Sequence, residues 1–166
     1  MANAWSIKRR VKRLRHGIIR LRHFRGHGIH SPYLYKVFRE VFMDKTPLRA
    51  ENPMISILTS FDLPTSKMRE LGNLAKHNGW SAIVANSDAQ ADVAICTCYC
   101  PEAMLKMILS SSAERGTPVI FIEPHKSSKF ENRVGAALAR HNSCSVDRYN
   151  YLLLLNNHLP KQHFRL

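Results

Sequence analysis

Acidic side chains are missing from the start of this chain. Glu40 is the first, and eleven Lys and Arg lie before it with nothing to offset them. The remaining 14 basic residues face 12 acidic ones, so the net charge of +13 is concentrated in the N-terminal stretch. Arguments from charge about partners therefore concern that stretch and not the body. Long apolar runs are missing too. Runs such as Leu152–Leu155 fall far short of the roughly 20 residues a spanning helix needs, which argues against an integral membrane protein. No apolar segment follows the N-terminal charges, which argues against a secretory signal. Cysteines are few: four in 166 residues, three of them crowded at Cys96, Cys98 and Cys100. That is not the spread of a disulfide scaffold, and a reducing, cytoplasmic setting is expected. An apolar content of 45% excludes wholesale disorder, and the length suits one domain.

The acid-free stretch is patterned. Trp5, Ile7, Val11, Leu14, Ile18, Leu21 and Phe24 recur in steps of three and four from Ile7 onward, which predicts an amphipathic helix. Its other face carries Lys8, Arg9, Arg10, Lys12, Arg13, Arg15, Arg20, Arg22 and Arg25. Four readings compete. The helix lies on an anionic membrane, peripheral to its inner face; it binds nucleic-acid phosphates; it imitates an organelle presequence; or it packs its stripe on the body. Residues 7–25 are the partner-binding candidates in the first two.

Ser31-Pro32 next supplies an N-cap and a first-turn proline, predicting a helix from Tyr33 to about Met43. His27 and His30 flank the turn without a third ligand at metal spacing. Further on, short apolar segments alternate with helical ones. Strands are predicted at Met54–Thr59, Ser81–Asn86, Asp92–Thr97, Pro118–Ile122 and Tyr149–Leu155. Helices are predicted at Lys67–His77, Pro101–Ser112 and Glu131–His141. This alternation predicts an α/β fold: a Rossmann-like, three-layer, mostly parallel sheet of about five strands, preceded by the basic amphipathic helix and a second helix. A helical arm, 1–52, and a sheet domain, 53–166, are the expected units. In such sheets ligands bind beyond the carboxyl ends of the strands.

The string Gly26-His27-Gly28-Ile29-His30-Ser31-Pro32-Tyr33-Leu34-Tyr35, after a basic helix, resembles the opening of a group of bacterial class I S-adenosylmethionine-dependent methyltransferases. Val119 through Ser127 is similar to that family's strand running into D-D-x-H-W-S, and Lys161-Gln162-His163-Phe164 to its closing tail. The resemblance implies S-adenosylmethionine as cofactor, held by loops after the first two strands at Ser60, Asp62, Asn86 and Asp88. It implies a catalytic pair at Glu123 and His125, which match the family's second Asp and its His. The chain departs from the pattern as well. The turn Ser60–Ser66 has no glycine where the family's backbone approaches the cofactor, and the body is short for that family. The expectation is a shortened, degenerate methyltransferase-like protein with lost or altered catalysis. The alternative is a non-catalytic binding module whose arm docks on an anionic membrane or nucleic acid. An exposed sheet edge would favour a homodimer.

Cys96, Cys98 and Cys100 have period two. If the strand persisted to Cys100, the three thiols would share a face and could hold zinc or copper with Cys144 or a histidine as fourth ligand. Core packing is the competing reading.

Overall fold

A computed structural model describes residues 7, 10–11, 13–15, 17–18, 32–46, 52–61 and 63–166, apart from the side chains of 33, 34 and 38. The described positions between 7 and 18 are helical. A short helix α1 (Pro32–Val37) runs into a π-helical turn at Phe38–Phe42. Helices α2 (Pro53–Leu58) and α3 (Thr65–Asn78) precede the sheet. Then come β1 (Ile83–Ala85), β2 (Val93–Cys96), α4 (Glu102–Arg115), β3 (Val119–Ile122), α5 (Ser128–Arg140), β4 (Ser145–Asp147), β5 (Tyr151–Leu154) and β6 (His163–Arg165). The six strands form one sheet in the order β1-β2-β3-β5-β4-β6. Five point the same way; β5 is antiparallel to both its neighbours, β3 and β4. The architecture is the expected Rossmann-like α/β fold.

Alternation along the central strands builds two cores. Val93 and Ile95, Ile120 and Ile122, and Tyr151 and Leu153 face one side. There they meet Met54, Leu58, Leu71 and Leu74 of α2 and α3. Ala94 and Cys96, Val119 and Phe121, and Leu152 and Leu154 face the other side, against Leu105 and Ile108 of α4 and Phe130 and Val134 of α5. A strand buried on both faces reads as a continuous apolar run, which is why β2, β3 and β5 were predictable. Val37 and Val41 also sit in the first core. The helical segment from Pro32 thus packs with the body.

One predicted strand is a helix. Met54–Thr59 was expected to pair in the sheet, but Pro53–Leu58 is α2. Asn52 caps it, its side chain accepting from Met54 N at 2.9 Å, and Pro53 occupies the first turn, where a missing N–H costs nothing. Met54 and Leu58, four apart, then reach the core together. The Asn-Pro start was a readable helix signal. β4 and β6 were not predicted at all, being three residues long with polar alternate positions. Both sheet edges, β1 and β6, are only three residues long, a form that offers little to strand addition. The stops were legible: α3 and α4 end at Gly79 (φ 68°) and Gly116 (φ 69°), left-handed positions that favour glycine.

The first core holds one charged cluster. Glu70 of α3 accepts a bidentate pair from Arg148, Nε at 3.1 Å and Nη2 at 2.7 Å. Lys67 Nζ lies 2.9 Å from both carboxylate oxygens, and Tyr151 donates its hydroxyl at 3.2 Å. The Arg148 guanidinium also stacks over the Phe42 ring, 4.6 Å from its centroid. Burial pushes the Glu70 carboxyl up, but Arg148 and Lys67 outweigh it and hold it below the usual range. Its stabilising contribution is therefore complete above the unfolded value of about 4.3 and is lost as pH falls through the lower folded value. We expect Glu70→Ala, which leaves Arg148 buried without its counter-charge, to cost about 3–5 kcal/mol in urea unfolding. Glu70→Gln should flatten the fall in stability below about pH 4.3.

Candidate functional site

Because β1, β2, β3, β4 and β6 run in parallel, their carboxyl ends share one edge of the sheet. Asn86, Thr97, Glu123 and Arg148 follow β1, β2, β3 and β4 there. Three described non-glycine residues at this edge have left-handed backbones: Asn86 (φ 51°), Glu123 (φ 46°) and Tyr149 (φ 67°). Asparagine tolerates that region; Glu and Tyr are strained there by about 1–3 kcal/mol each. The fold compensates locally. Glu123 N donates to Asn150 O at 2.7 Å, Lys126 N donates to Glu123 O at 2.8 Å, and Tyr149 N donates to Asp147 Oδ1 at 2.9 Å. The His125 and Tyr149 rings lie against each other, centroids 5.3 Å apart. Strain gathered where ligands of such sheets bind marks this edge as the candidate site.

The two residues expected to be catalytic are both at this edge, but each takes its own partner. The Glu123 carboxylate pairs with Lys126 Nζ at 3.0 Å, while His125 Nδ1 lies 3.3 Å from Glu131 Oε1 of α5. His125 and Glu131 line a cavity of about 220 Å³ with Asp147, His163, Arg165 and Arg15. That is below the roughly 300–1,000 Å³ of typical ligand pockets. A larger groove, about 1090 Å³, runs between α4 and α5 toward the amino edge, past Leu105, Leu109, Ala137, Arg140 and Leu154. Neither space is lined by Ser60, Asn86 or Asp88.

Asn86 is engaged elsewhere. Its Oδ1 accepts from Thr97 N and its Nδ2 donates to Thr97 Oγ1, both at 2.9 Å. The side chain thereby bridges the carboxyl ends of β1 and β2. At their amino ends Asp92 Oδ2 accepts from Ser81 N and Ala82 N, both at 2.8 Å. These backbone donors hold the Asp92 carboxyl below its usual range. The connection between these parallel strands carries no helix, so two side-chain clamps secure β1 in place of a helical crossover. Asp88 lies in that connection, its carbonyl accepting from Arg115 at the end of α4 at 3.3 Å. Ser60 sits in the turn that closes α2, its hydroxyl donating to Ile57 O at 2.7 Å. The expectation that it follows a strand is corrected by the helical start at Asn52-Pro53. Asp62 lies outside the described residues, as do His27 and His30.

β2 stops at Cys96, and Cys100 N turns back to Thr97 O at 3.0 Å. The condition for three thiols on one face is therefore not met. Cys144, the suggested fourth ligand, belongs to the core on the opposite face of the sheet. Among the described residues no three His, Cys, Asp or Glu are grouped to hold a metal. Cys96 and Cys100 do meet. Hydrogen bonding with Cys96 holds the Cys100 thiol down to about 7, burial opposing and Arg133 assisting. The same hydrogen bond and burial push Cys96 well up. Arg133 of α5 fixes the turn, donating to Cys100 O at 2.8 Å and Cys98 O at 3.3 Å.

No family model, curated protein or solved structure matches this chain.

Two outcomes test this geometry. Asn86→Ala removes the acceptor from the buried Thr97 N–H and should lower stability by about 1–3 kcal/mol in urea unfolding, with Asn86→Asp costing less. In ultraviolet titration of thiolate absorbance, one thiolate should form with a midpoint of about 7, and Cys100→Ser should abolish that step.

Proposed function

We propose that this chain is a non-catalytic binding module: a methyltransferase-like scaffold that has given up S-adenosylmethionine chemistry and attaches through its basic arm to a phosphate-rich surface. The observation that carries this reading is the exposure of the arm. At each described position from 7 to 18, including Arg10, Arg13 and Arg15, the residue is exposed rather than consumed by packing. The body, with 14 basic and 12 acidic residues after position 39, adds little attraction of its own.

The carboxyl edge supports the loss of cofactor chemistry. A nucleotide-binding crossover brings a helix N-terminus to the ligand after its first strand. Here β1 leads straight to β2, and Asn86 spans the space between their ends. An adenosyl group at that point would have to displace a side chain that satisfies a buried backbone N–H. Glu123 and His125, paired with Lys126 and Glu131, serve as braces of the strained turn in this reading.

Calorimetry with S-adenosylmethionine at millimolar concentration should give no binding heat; a saturable isotherm would restore the enzymatic reading. On immobilised heparin the protein should be retained at low salt and released as salt rises. Arg10→Gln/Arg13→Gln/Arg15→Gln should elute at clearly lower salt with its thermal unfolding unchanged.

A further inference from the structure

We infer that the surface the arm occupies is an anionic lipid bilayer, with the arm lying in the headgroup plane and Ile7, Val11, Leu14 and Ile18 inserted below it. This rests on the preceding reading, that the arm binds polyanions, and names the partner. The stripe steps 7, 11, 14, 18 fall on one face of a helix, and the described positions are helical. A stripe of that kind ordinarily packs on the protein's own core. Here Ile7, Val11, Leu14 and Ile18 are 53%, 58%, 69% and 63% exposed. Arg15 is the described arm residue that lines the body's smaller cavity. Four large aliphatic side chains in a row therefore stand in water beside a row of cations.

The chemistry of the two candidate polyanions separates them. Binding to RNA or DNA neutralises phosphates with Arg and Lys and leaves an aliphatic stripe as wet as before. A bilayer interface accepts both faces at once, phosphates against the guanidinium groups and acyl chains against the stripe. In sequence the stripe continues with Trp5 before it and Leu21 and Phe24 after it, placing aromatic residues at both ends. Aromatic side chains favour the headgroup level. No helix among the described residues is long and apolar enough to cross a membrane.

The test is co-sedimentation of the full chain with vesicles, run beside heparin retention. Wild-type protein should sediment with phosphatidylcholine vesicles containing phosphatidylglycerol and stay in solution with phosphatidylcholine alone. Val11→Gln/Leu14→Gln, which keeps every charge, should bind the anionic vesicles about tenfold more weakly while heparin retention stays at the wild-type value. Arg10→Gln/Arg13→Gln should weaken both, eluting from heparin at lower salt and binding the anionic vesicles less tightly than wild type. Wild-type vesicle binding by Val11→Gln/Leu14→Gln would overturn the inference. So would preference of the wild type for single-stranded RNA over anionic vesicles at equal phosphate concentration. Either result would leave the polyanion reading standing. Absence of heparin retention in the wild type would remove that reading, and this inference with it.

Discussion

One carboxylate organises the edge on which the body's chemistry would take place. Glu70 belongs to α3, before the sheet begins, and it holds Arg148, 78 positions later, from across the first core. Arg148 opens the hairpin between β4 and β5, so fixing its guanidinium fixes the turn that follows. Tyr149 is strained in that turn, and Asn150 offers it the carbonyl that receives Glu123 N. Tyr149 in turn backs the ring of His125. The left-handed residues at the carboxyl ends of β3 and β4 are thus anchored from the opposite face of the sheet. A buried ion cluster is a poor source of net stability, because desolvation offsets most of the attraction. What Glu70 supplies is position. Its two oxygens take four donors, and those from Arg148 and Tyr151 fix the β4–β5 hairpin against α3.

That dependence explains which parts of the structure could be read in advance. β2, β3 and β5 are short apolar runs buried on both faces, and α3, α4 and α5 carry the period of one buried face with Gly or Ser at their ends. Those signals are local, so the α/β class was legible. α2 was misread because Met-Ile-Ser-Ile-Leu suits a strand on composition, while the cap that makes it a helix lies just before it. β4 and β6 left too little pattern in three residues each. Among the candidate residues, Asn86, Glu123 and His125 do stand at the carboxyl edge, since they follow correctly placed strands. Ser60 does not, because the strand before it was a helix. Glu70 and Arg148 were invisible: neither sits in a motif, and a pairing across 78 residues has no local mark.

The clamp between Asn86 and Thr97 shows how a sheet of this class can close where others open. A parallel pair needs a crossover, and the crossover is usually a helix whose N-terminus then faces a ligand. With strands of only three or four residues, a short loop reaches back from β1 to β2. Backbone pairing holds β1 in register on β2, and Asp92 at the amino ends and Asn86 at the carboxyl ends add side-chain hydrogen bonds to it. The absence of a helix between β1 and β2 and the filling of the space between their ends thus go together. The same side chain that compensates for the missing crossover fills the space between the strand ends.

The proposed attachment through the arm draws on two terms. Each Lys or Arg near an anionic membrane contributes about 1 kcal/mol, and fully burying a Val, Leu or Ile side chain contributes about 1.5–3 kcal/mol. Neither term alone makes a durable anchor, since charge fades within a Debye length of about 8 Å at physiological salt and single lipid-like insertions bind marginally. Carried on opposite faces of one helix, they act together. The charges bring the helix to the surface and align it, and alignment is what lets the stripe leave water. A protein selected only to grip phosphate would gain nothing from four exposed aliphatic side chains. Such a stripe would raise the risk of self-association without adding to the attraction. Their presence beside the arginines on one helix suits a bilayer and serves no purpose on a nucleic acid.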